Sequence, residues 1–402
     1  MSDIVIQEIA DGLHLLRISD TKTRFFEALW EIPEGITYNA YLLETPEGAI
    51  LFDGWKRNFE KEFVEAVSSI VPPGEIKHIV IHHMEPDHSG TLPKMLGLAG
   101  EDVQVWGHPF SQKLIEGLYG KSPKFNGVKD GNILEFGGKK LLFVQTPWLH
   151  WPETMVTYLP TERILLTGDI FGGYSIPSGV FDDQVDTSEY LTFARKYTVT
   201  VIGHYKEKIG KNISKLEKFD IRPKMILPAH GLLWREDPDQ IVQAYLDWGS
   251  GKPKKGKITV VYSSMYRFVE KAIEVAVDEL KKQGFKPVIH RFVDERRDEI
   301  GDAISDMVDS EAIVLGTETY ESDVFPYTEF LVSEMEKKVH FEKPLLLIAI
   351  FGWAGAAGKK LTKKLGECKF DLVDTVEFKG LTTPESEARI REGVGKLIGA
   401  IR

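Results

Sequence analysis

A run of glycine, serine, proline and lysine between Gly249 and Gly256 divides this chain of 402 residues into two parts. Glycine, serine and proline mixed with mutually repelling lysines favour a linker over a helix or a strand. An ordinary long surface loop is the alternative interpretation. Because the hydrophobic patterns on the two sides differ, we predict one domain at residues 1–250, a linker at 251–256 and a second domain at 257–402.

After the break, short apolar runs alternate strictly with amphipathic helical patterns. The run PLLLIAIF at Pro344–Phe351 is the most hydrophobic, as is typical of a central parallel strand. Five strands alternating with five helices predict an α/β fold with a five-stranded, parallel, doubly wound sheet. The predicted elements are strands at Lys257–Tyr262, Pro287–Phe292, Ala312–Gly316, Pro344–Phe351 and Asp371–Phe378, and helices near Val269–Lys282, Ile300–Val308 and Tyr327–Lys338, from Gly358 onward, and near Pro384–Ile401.

Before the break, apolar strand patterns follow one another with far fewer helices between them. This arrangement predicts two packed sheets flanked by helices. The strands are predicted at Ala40–Leu43, Ala49–Phe52, His78–His82, Val103–Trp106, Lys140–Val144, Ile164–Leu166 and Met225–Leu227, and the helices at Phe59–Ile70 and Phe110–Leu118.

Charge and cysteine usage exclude several classes of protein. The formal net charge of −11 argues against a general binder of nucleic acid. The single cysteine, Cys368, excludes a disulfide framework and cysteine-ligated clusters, so any metal must use histidine and carboxylate ligands. The N-terminal segment lacks the basic and apolar regions of a signal peptide. The longest uncharged stretch, Pro344–Gly358, is shorter than the roughly 18 apolar residues of a membrane-spanning helix. We therefore expect a cytoplasmic protein without a membrane partner.

Four potential metal ligands lie within six residues, directly after the predicted strand that contains His78–Ile81. Binding residues are commonly carried by loops of this kind, positioned by a rigid sheet. Imidazole and carboxylate groups are the ligands expected of a chain that has almost no cysteine. The four residues are His83, Glu85, Asp87 and His88.

Further histidine and aspartate residues follow other predicted strands and stand close to glycine or proline. They are His150, Asp169 and His230, with Asp53 as an additional carboxylate. For any one histidine, a structural role is the more common explanation. The recurrence of a strand followed by histidine or aspartate favours a shared metal site for seven residues, leaving Asp53 aside.

The motif H-x-E-x-D-H, followed by separated His, Asp and His residues, resembles that of the metallo-β-lactamase-like superfamily. With an α/β module behind it, the whole chain resembles a flavodiiron protein, also called an A-type flavoprotein. This resemblance implies an N-terminal metallo-β-lactamase-like αβ/βα sandwich and a C-terminal flavodoxin-like domain. The hydrolytic branch of the superfamily has histidine where this chain has Glu85, and the added charge and hard oxygen donor shift the preference from zinc toward iron.

The resemblance also implies a ligand set for two non-haem iron ions. In this set one iron is held by His83, Glu85 and His150. The other iron is held by Asp87, His88 and His230, and Asp169 bridges the two.

Other residues are weaker candidates near this site. Tyr197 resembles a family tyrosine that could donate a proton or a hydrogen bond, although a half-buried structural aromatic is the alternative. Asp53 could orient a ligand histidine or cap a turn. Trp148, Trp151 and Phe171 could wall the pocket, and packing alone would account for them equally well.

The same resemblance implies FMN at the carboxyl ends of the second domain's strands. Flavodoxin-like phosphate loops usually have a small or hydroxylated residue near their end, whereas this chain has Arg267, Phe268 and Val269 there. The serines at the start of the loop keep hydroxyl groups, and the next helix offers its N-terminus to a phosphate. The predicted FMN residues are Ser263, Ser264, Met265, Tyr266, Arg267 and Phe268 in the first loop, Thr317, Glu318, Thr319 and Tyr320 in the second, and Gly352, Trp353, Ala354 and Gly355 in the third.

The resemblance implies an oxidoreductase that passes electrons through FMN to the irons and reduces O2 to water, NO to N2O, or both. Rubredoxin or a similar small redox protein is the expected donor, because the chain has no rubredoxin cysteines of its own. A reduced deazaflavin or another donor is the alternative, and the absence of a G-x-G-x-x-G dinucleotide motif argues against direct oxidation of NADH. A head-to-tail homodimer, or a tetramer, would bring one subunit's flavin to its partner's irons. Two alternatives remain open: a zinc hydrolase with a flavodoxin-like regulatory domain, and a non-catalytic sensor that binds flavin and iron.

Overall fold

The computed structural model describes residues 3–340 and 342–401. The chain divides into two compact units, Met1–Leu246 and Asp247–Arg402. Throughout the described ranges, each helix is too short or too polar to cross a membrane.

The first unit contains two mixed sheets and a short two-stranded ribbon of β3 and β4. The strand order is β1-β2-β5-β6-β7-β8-β9 in one sheet and β10-β11-β12-β13-β14 in the other. The strands are β1 (Ile4–Ala10), β2 (Leu13–Asp20), β3 (Phe25–Phe26), β4 (Trp30–Glu31), β5 (Ile36–Thr45), β6 (Gly48–Phe52), β7 (Ile76–Ile81), β8 (Gln104–Gly107), β9 (Lys124–Gly127), β10 (Ile133–Phe136), β11 (Lys139–Gln145), β12 (Met155–Leu159), β13 (Ile164–Gly168) and β14 (Met225–Pro228).

The two sheets share one apolar core. Phe52 and Val80 from the first sheet pack in the same buried cluster as Phe143, Leu166 and Leu227 from the second. Helices accompany the sheets, and a π-helical turn at residues 198–202 extends the end of α5. The helices are α1 (Glu60–Ser68), α2 (Pro86–Ser89), α3 (Leu92–Ala99), α4 (Pro109–Tyr119), α5 (Thr187–Tyr197), α6 (Lys206–Lys218) and α7 (Pro238–Ser250).

The parallel strand pairs of this unit determine where polar loops meet. Strands β6, β7 and β8 are parallel neighbours, and so are β13 and β14. Strand β11 runs in the same direction as β13, because both are antiparallel to β12. Since parallel strands end at the same edge of a sheet, the loops that follow β11, β13 and β14 converge.

The second unit contains a sheet in the order β17-β16-β15-β18-β20-β21, in which the short β17 is antiparallel to β16 and the short β19 is antiparallel to β18. Its five long strands are parallel neighbours, and their order is that of a flavodoxin-like doubly wound sheet. The elements are β15 (Lys257–Ser264), β16 (Lys286–Val293), β17 (Arg296–Arg297), β18 (Ala312–Tyr320), β19 (Asp323–Val324), β20 (Pro344–Phe351), β21 (Asp371–Lys379), α8 (Phe268–Lys282), α9 (Ile300–Val308), α10 (Pro326–Lys338), α11 (Ala357–Glu367) and α12 (Pro384–Ala400).

Burial explains why these segments form these elements. Strand β20 is buried at every position except the last, as expected of a central parallel strand covered on both faces. Helix α8 buries Val269, Ile273, Val277 and Leu280, which recur at helical spacing. Helix α7 reaches Ser250, so the glycine- and serine-rich run is helical at its first two residues.

Candidate metal centre

The loop after β7 brings the first four predicted ligands to one place. Pro86 opens the short helix α2, and it holds Glu85 in an extended conformation with φ −56° and ψ 140°. Asp87 and His88 then project from the first turn of that helix. All four ligands, including His83 before the turn, are buried or nearly so.

One cluster is formed by His83, Glu85 and His150 around one oxygen of Asp169. His150 Nε2 lies 2.9 Å from Glu85 Oε2, and His83 Nε2 lies 3.3 Å from the same oxygen. The Nε2 atoms of His83 and His150 lie 3.4 Å and 3.3 Å, respectively, from Asp169 Oδ2. One ligand atom from each of the four residues lies within 4.8 Å of the other three, as a single bound metal requires.

A second cluster is formed by Asp87, His88 and His230 around the other oxygen of Asp169. The Nε2 atoms of His88 and His230 each lie 3.5 Å from an oxygen of Asp87. They lie 2.8 Å and 3.3 Å, respectively, from Asp169 Oδ1. Asp169 therefore presents Oδ2 to the first cluster and Oδ1 to the second, which is the geometry of a bridging carboxylate.

Several ligand atoms in these clusters are buried and lie close to one another without forming a hydrogen bond of ordinary geometry. Among the described residues this applies to both carboxylate oxygens of Asp87 and of Asp169, and to Nε2 of His88 and of His230. Buried polar atoms are almost always paired, because leaving them unpaired is costly. One cation in each cluster would give these buried atoms a partner. The residues present therefore fit two metal ions.

A cavity of about 390 Å³ lies at the carboxyl ends of β15, β18 and β20. This volume is within the usual range for a cofactor site. Aromatic side chains flank the cavity, and two of them, Tyr266 and Trp353, are 78% and 80% exposed. Predicted FMN residues that line it are Met265, Tyr266, Phe268, Glu318, Thr319, Tyr320, Gly352 and Trp353, together with Val269, Glu321, Ile350, Phe351 and Gly380, which were not predicted.

Other predicted FMN residues lie around this cavity without lining it. Ser263 Oγ lies 3.0 Å from Thr328 Oγ1, and Ser264 Oγ accepts hydrogen bonds from the first backbone N–H groups of α8. Arg267 is exposed and has φ +67°, a left-handed conformation that is costly outside glycine. Three other predicted FMN residues also do not line the cavity. Thr317 is buried, and Ala354 and Gly355 are exposed.

Comparison with known proteins identifies the family. Residues 36–231 match the model described as "ODP family beta lactamase". A nitric oxide reductase from Moorella thermoacetica is 30% identical over 91% of this chain and 90% of its own length. A flavo di-iron protein from Thermotoga maritima, solved as a point mutant, is 43% identical over the whole of both chains, with a TM-score of 0.94. The rubredoxin oxygen:oxidoreductase of Desulfovibrio gigas is 26% identical over 99% of this chain and 98% of its own, with a TM-score of 0.92.

The chain belongs to the flavodiiron protein family. This membership confirms the predicted resemblance. It also confirms the α/β fold class, with a metallo-β-lactamase-like part and a flavodoxin-like part.

The charges in this flavodiiron centre stabilise one another strongly. Burial opposes protonation of His83, but the charge of Asp169 and the hydrogen bond to Glu153 outweigh it and raise the pKa of His83 to about 9. Burial likewise opposes protonation of His88, and the nearby Asp87 and Asp169 raise its pKa to about 10. His83 and His88 therefore hold protons at neutral pH when no metal is bound, and metal binding must release them.

Two histidines of these clusters are oriented by acceptors at their second ring nitrogen. His83 Nδ1 lies 3.1 Å from Glu153 Oε1, which also accepts a hydrogen bond from the backbone N–H of Met84. His230 Nδ1 lies 2.8 Å from the backbone carbonyl of Thr37. Such contacts fix the ring orientation and leave Nε2 free for the metal. Sequence reasoning missed both, although Glu153 stands only three residues after His150 in the same loop.

Replacing Glu153 by leucine should weaken iron binding. The change removes the acceptor at His83 Nδ1, and partners of this kind are typically worth about ten- to a hundredfold in metal affinity. We expect the dissociation constant for ferrous iron, measured by competition with a chromophoric chelator, to rise by about that factor. Glu135→Leu, which removes a surface carboxylate paired with Lys140, is the control and should leave the constant unchanged.

The loop that carries His230 is held by buried side chains from the first sheet. Arg17 donates a hydrogen bond of 2.6 Å to the carbonyl of Gly231. Asn39 donates to the same carbonyl and to that of Pro228, at 3.2 Å and 3.0 Å. These contacts fix the backbone on both sides of His230, and nothing in the sequence pattern pointed to them.

Asp53 orients a histidine, but that histidine is His82 and not one of the seven predicted ligands. Asp53 Oδ2 lies 2.6 Å from His82 Nδ1, and Oδ1 accepts a hydrogen bond from the His82 backbone N–H. His82 Nε2 in turn lies 2.8 Å from Thr157 Oγ1. Asp53 therefore anchors the start of the ligand loop, so neither of the two roles considered for it describes its contacts.

Tyr197 is fully buried, in contrast to the half-buried alternative considered for it. Its ring lies 5.5 Å from the ring of His230, and its hydroxyl has no hydrogen-bond partner among the described residues. Trp151 stands edge-on to His83 with 4.9 Å between ring centres, so it does wall the centre.

The two other aromatic candidates contact residues outside the ligand set. Trp148 is 38% exposed, and its ring lies 5.1 Å from that of Tyr205. Phe171 is buried, with its ring 5.2 Å from that of Tyr245. Packing therefore accounts for the contacts of both residues.

Proposed function

We propose that this protein is an oxidoreductase in which FMN delivers electrons to two irons that reduce O2 to water, NO to N2O, or both. The observation that carries the proposal is Asp169, whose two oxygens face two separate histidine and carboxylate clusters. When bound, FMN supplies stepwise electron transfer and the iron pair supplies the electrons for the reduction. Relatives named nitric oxide reductase and rubredoxin oxygen:oxidoreductase support this pair of substrates.

The donor set favours iron. Four neutral imidazoles and three carboxylates carry three negative charges, which largely offset the four positive charges of two divalent ions. The oxygen-rich set suits iron better than a set of histidines alone would. We propose that His83, Glu85 and His150 hold one iron. The ligands of the second iron and the bridge would then be Asp87, His88, His230 and Asp169.

Tyr197 is suited to hold a proton beside the centre. Burial raises the pKa of its hydroxyl well above the ordinary range, and the charge of Asp169 adds to this effect. The hydroxyl is therefore neutral at physiological pH and has a hydrogen bond to give. We assign it the role of donating that hydrogen bond during the reduction.

Replacing Tyr197 by phenylalanine should lower turnover without removing iron or flavin. A preorganised hydrogen-bond donor in a buried site is typically worth about a hundredfold or more, so we expect a loss of about a hundredfold in the rate of O2 or NO consumption. Tyr158→Phe, which removes a buried hydroxyl near the carbonyl of Arg222, is the control. An unchanged rate for Tyr197→Phe, at equal iron and flavin content, would assign Tyr197 a packing role only.

We further propose a rubredoxin-type donor, a head-to-tail homodimer or tetramer, and a cytoplasmic location. The name of the Desulfovibrio gigas relative supports the donor. The metal clusters and the aromatic cavity belong to different units of the chain, which supports an assembly that pairs sites from two subunits. An active species that sediments only as a monomer would contradict this assembly.

The decisive assay reduces the protein anaerobically with NADH, rubredoxin reductase and rubredoxin, and then follows the consumption of added O2 or NO directly. We expect consumption of at least one gas that depends on rubredoxin. Full iron and flavin without consumption of either gas would indicate a sensor, whereas purified material that holds zinc would indicate a hydrolase.

A further inference from the structure

Glu318 is a buried carboxyl group in the wall of the aromatic cavity. Its side chain stands near the carboxyl end of β18, and the residue is 6% exposed. Neither carboxylate oxygen has a hydrogen-bond partner within the ranges that the structure describes. A buried carboxyl group without a partner is costly, and the cost is much larger when the group is ionised.

The charged groups on neighbouring elements do not neutralise Glu318. From the loop before α8, Arg267 pairs with Glu270. From α11, Lys360 pairs with Asp323 at 2.6 Å. Asp294, after β16, adds a further negative charge that disfavours ionisation of the carboxyl group. Glu321, which directly follows β18, is exposed and also acidic.

These surroundings favour the neutral acid. Burial raises the pKa of Glu318 to about 7, and Asp294 adds to the shift. The hydroxyl of Ser263 and the backbone N–H of Met265 lower this pKa in part, although neither forms a hydrogen bond of ordinary geometry with the carboxyl group. Both belong to β15 or the loop that follows it, so Glu318 stands on the side of the cavity that the predicted phosphate loop occupies.

We propose that Glu318 is kept protonated and donates a hydrogen bond to the phosphate of FMN, which makes flavin retention dependent on pH. The inference rests on the proposed FMN site and goes beyond it by assigning a proton to one side chain. A neutral carboxyl group can donate a hydrogen bond, whereas a carboxylate can only accept one and would repel a phosphate dianion. Binding of FMN therefore requires a protonated Glu318.

The sign of the pH effect follows from this requirement. Below about pH 7 the acid is already protonated in the flavin-free protein, so affinity changes little on its account. Above that pH each molecule must take up a proton on binding, and the dissociation constant for FMN should rise about tenfold per pH unit. The phosphate of FMN is already doubly charged in this range, because its second ionisation occurs near about pH 6.

The test titrates the full-length, flavin-free protein with FMN and follows quenching of flavin fluorescence at several values between about pH 7 and about pH 9. The wild type should lose roughly fifty- to a hundredfold in affinity across this range. Glu318→Gln should be nearly flat, because an amide N–H donates at every pH. Glu367→Gln, which changes an exposed acid at the end of α11 outside the cavity, should follow the wild type. A Glu318→Gln variant with the wild-type slope would overturn the proposal.

A second arm uses the wild type alone, so it does not depend on whether a variant folds. Riboflavin lacks the phosphate, and its affinity should therefore show little of the pH dependence seen with FMN. An equal slope for riboflavin would overturn the assignment to the phosphate. FMN binding with a flat pH profile would overturn this inference and leave the proposed function intact, whereas no FMN binding at any pH would overturn both.

Discussion

The change of Asp169 to asparagine should lower the iron content from about two per subunit to one or none and abolish turnover. Asp169 is the only side chain among the described residues whose two oxygens approach both ligand clusters. An amide has one oxygen and no charge, so it cannot bridge two cations in the same way. Loss of a residue that only orients a metal ligand already lowers metal affinity or activity about ten- to a hundredfold. Loss of the bridging carboxylate itself should therefore lower turnover by more than about a hundredfold.

Metal analysis of the purified variant, together with its rate of O2 or NO consumption, checks this result. Asp182→Asn is the matched control, because Asp182 is also a buried carboxylate of the first unit. Its oxygens accept hydrogen bonds from the backbone of Arg235 and Asp237, and it contributes no atom to the clusters. The control should keep its iron. An Asp169→Asn protein with full iron and full activity would refute the bridging role.

The change of Glu85 to histidine should shift the first cluster from iron toward zinc. Glu85 Oε2 lies close to the Nε2 atoms of both His83 and His150, so the change replaces one of the two carboxylate donors of this cluster by a third imidazole and leaves Asp169. The donor set then carries one negative charge less and resembles a catalytic zinc site. We expect zinc to exceed iron at this site when both metals are offered together, and gas reduction to be lost.

Elemental analysis after competition between equal amounts of ferrous iron and zinc measures this preference. Glu65→His, on the exposed face of α1, adds the same imidazole to the same unit and serves as the control. If Glu85→His keeps the iron preference of the wild type, the argument from charge and donor hardness is wrong.

In the second unit, the boundaries of the five long strands and five helices were predicted from the sequence to within a few residues. Parallel strands such as β20 are buried on both faces and form unbroken apolar runs, and helices such as α8 show one apolar stripe. Both patterns are strong because each satisfies a simple periodic rule.

The first unit was predicted less completely. Strand β1 was missed because its residues alternate between exposed and half-buried positions and include Gln7 and Glu8. Strands β9 and β10 have four residues each and are partly exposed, so they carry little periodicity. Strands β2 and β12 and helices α3, α5, α6 and α7 were also missed, although each buries apolar residues.

The structure brings the seven predicted metal ligands together, and the side chains that support them were harder to find. Glu153 was detectable in principle as a carboxylate near His150. The carbonyl of Thr37 was not, because a backbone acceptor leaves no mark on side-chain patterning. Burial of Glu318 was equally hidden, since threonine precedes and follows it in a polar segment.

The central claim is that the carboxylate of Asp169 bridges two irons, one in each cluster of histidine and carboxylate side chains. Anomalous X-ray diffraction at the iron absorption edge, on crystals loaded with ferrous iron under anaerobic conditions, tests it directly. We expect two peaks separated by roughly 3.5–4 Å, one on each side of Asp169. A single peak, or peaks that appear only at the zinc edge, would contradict the account.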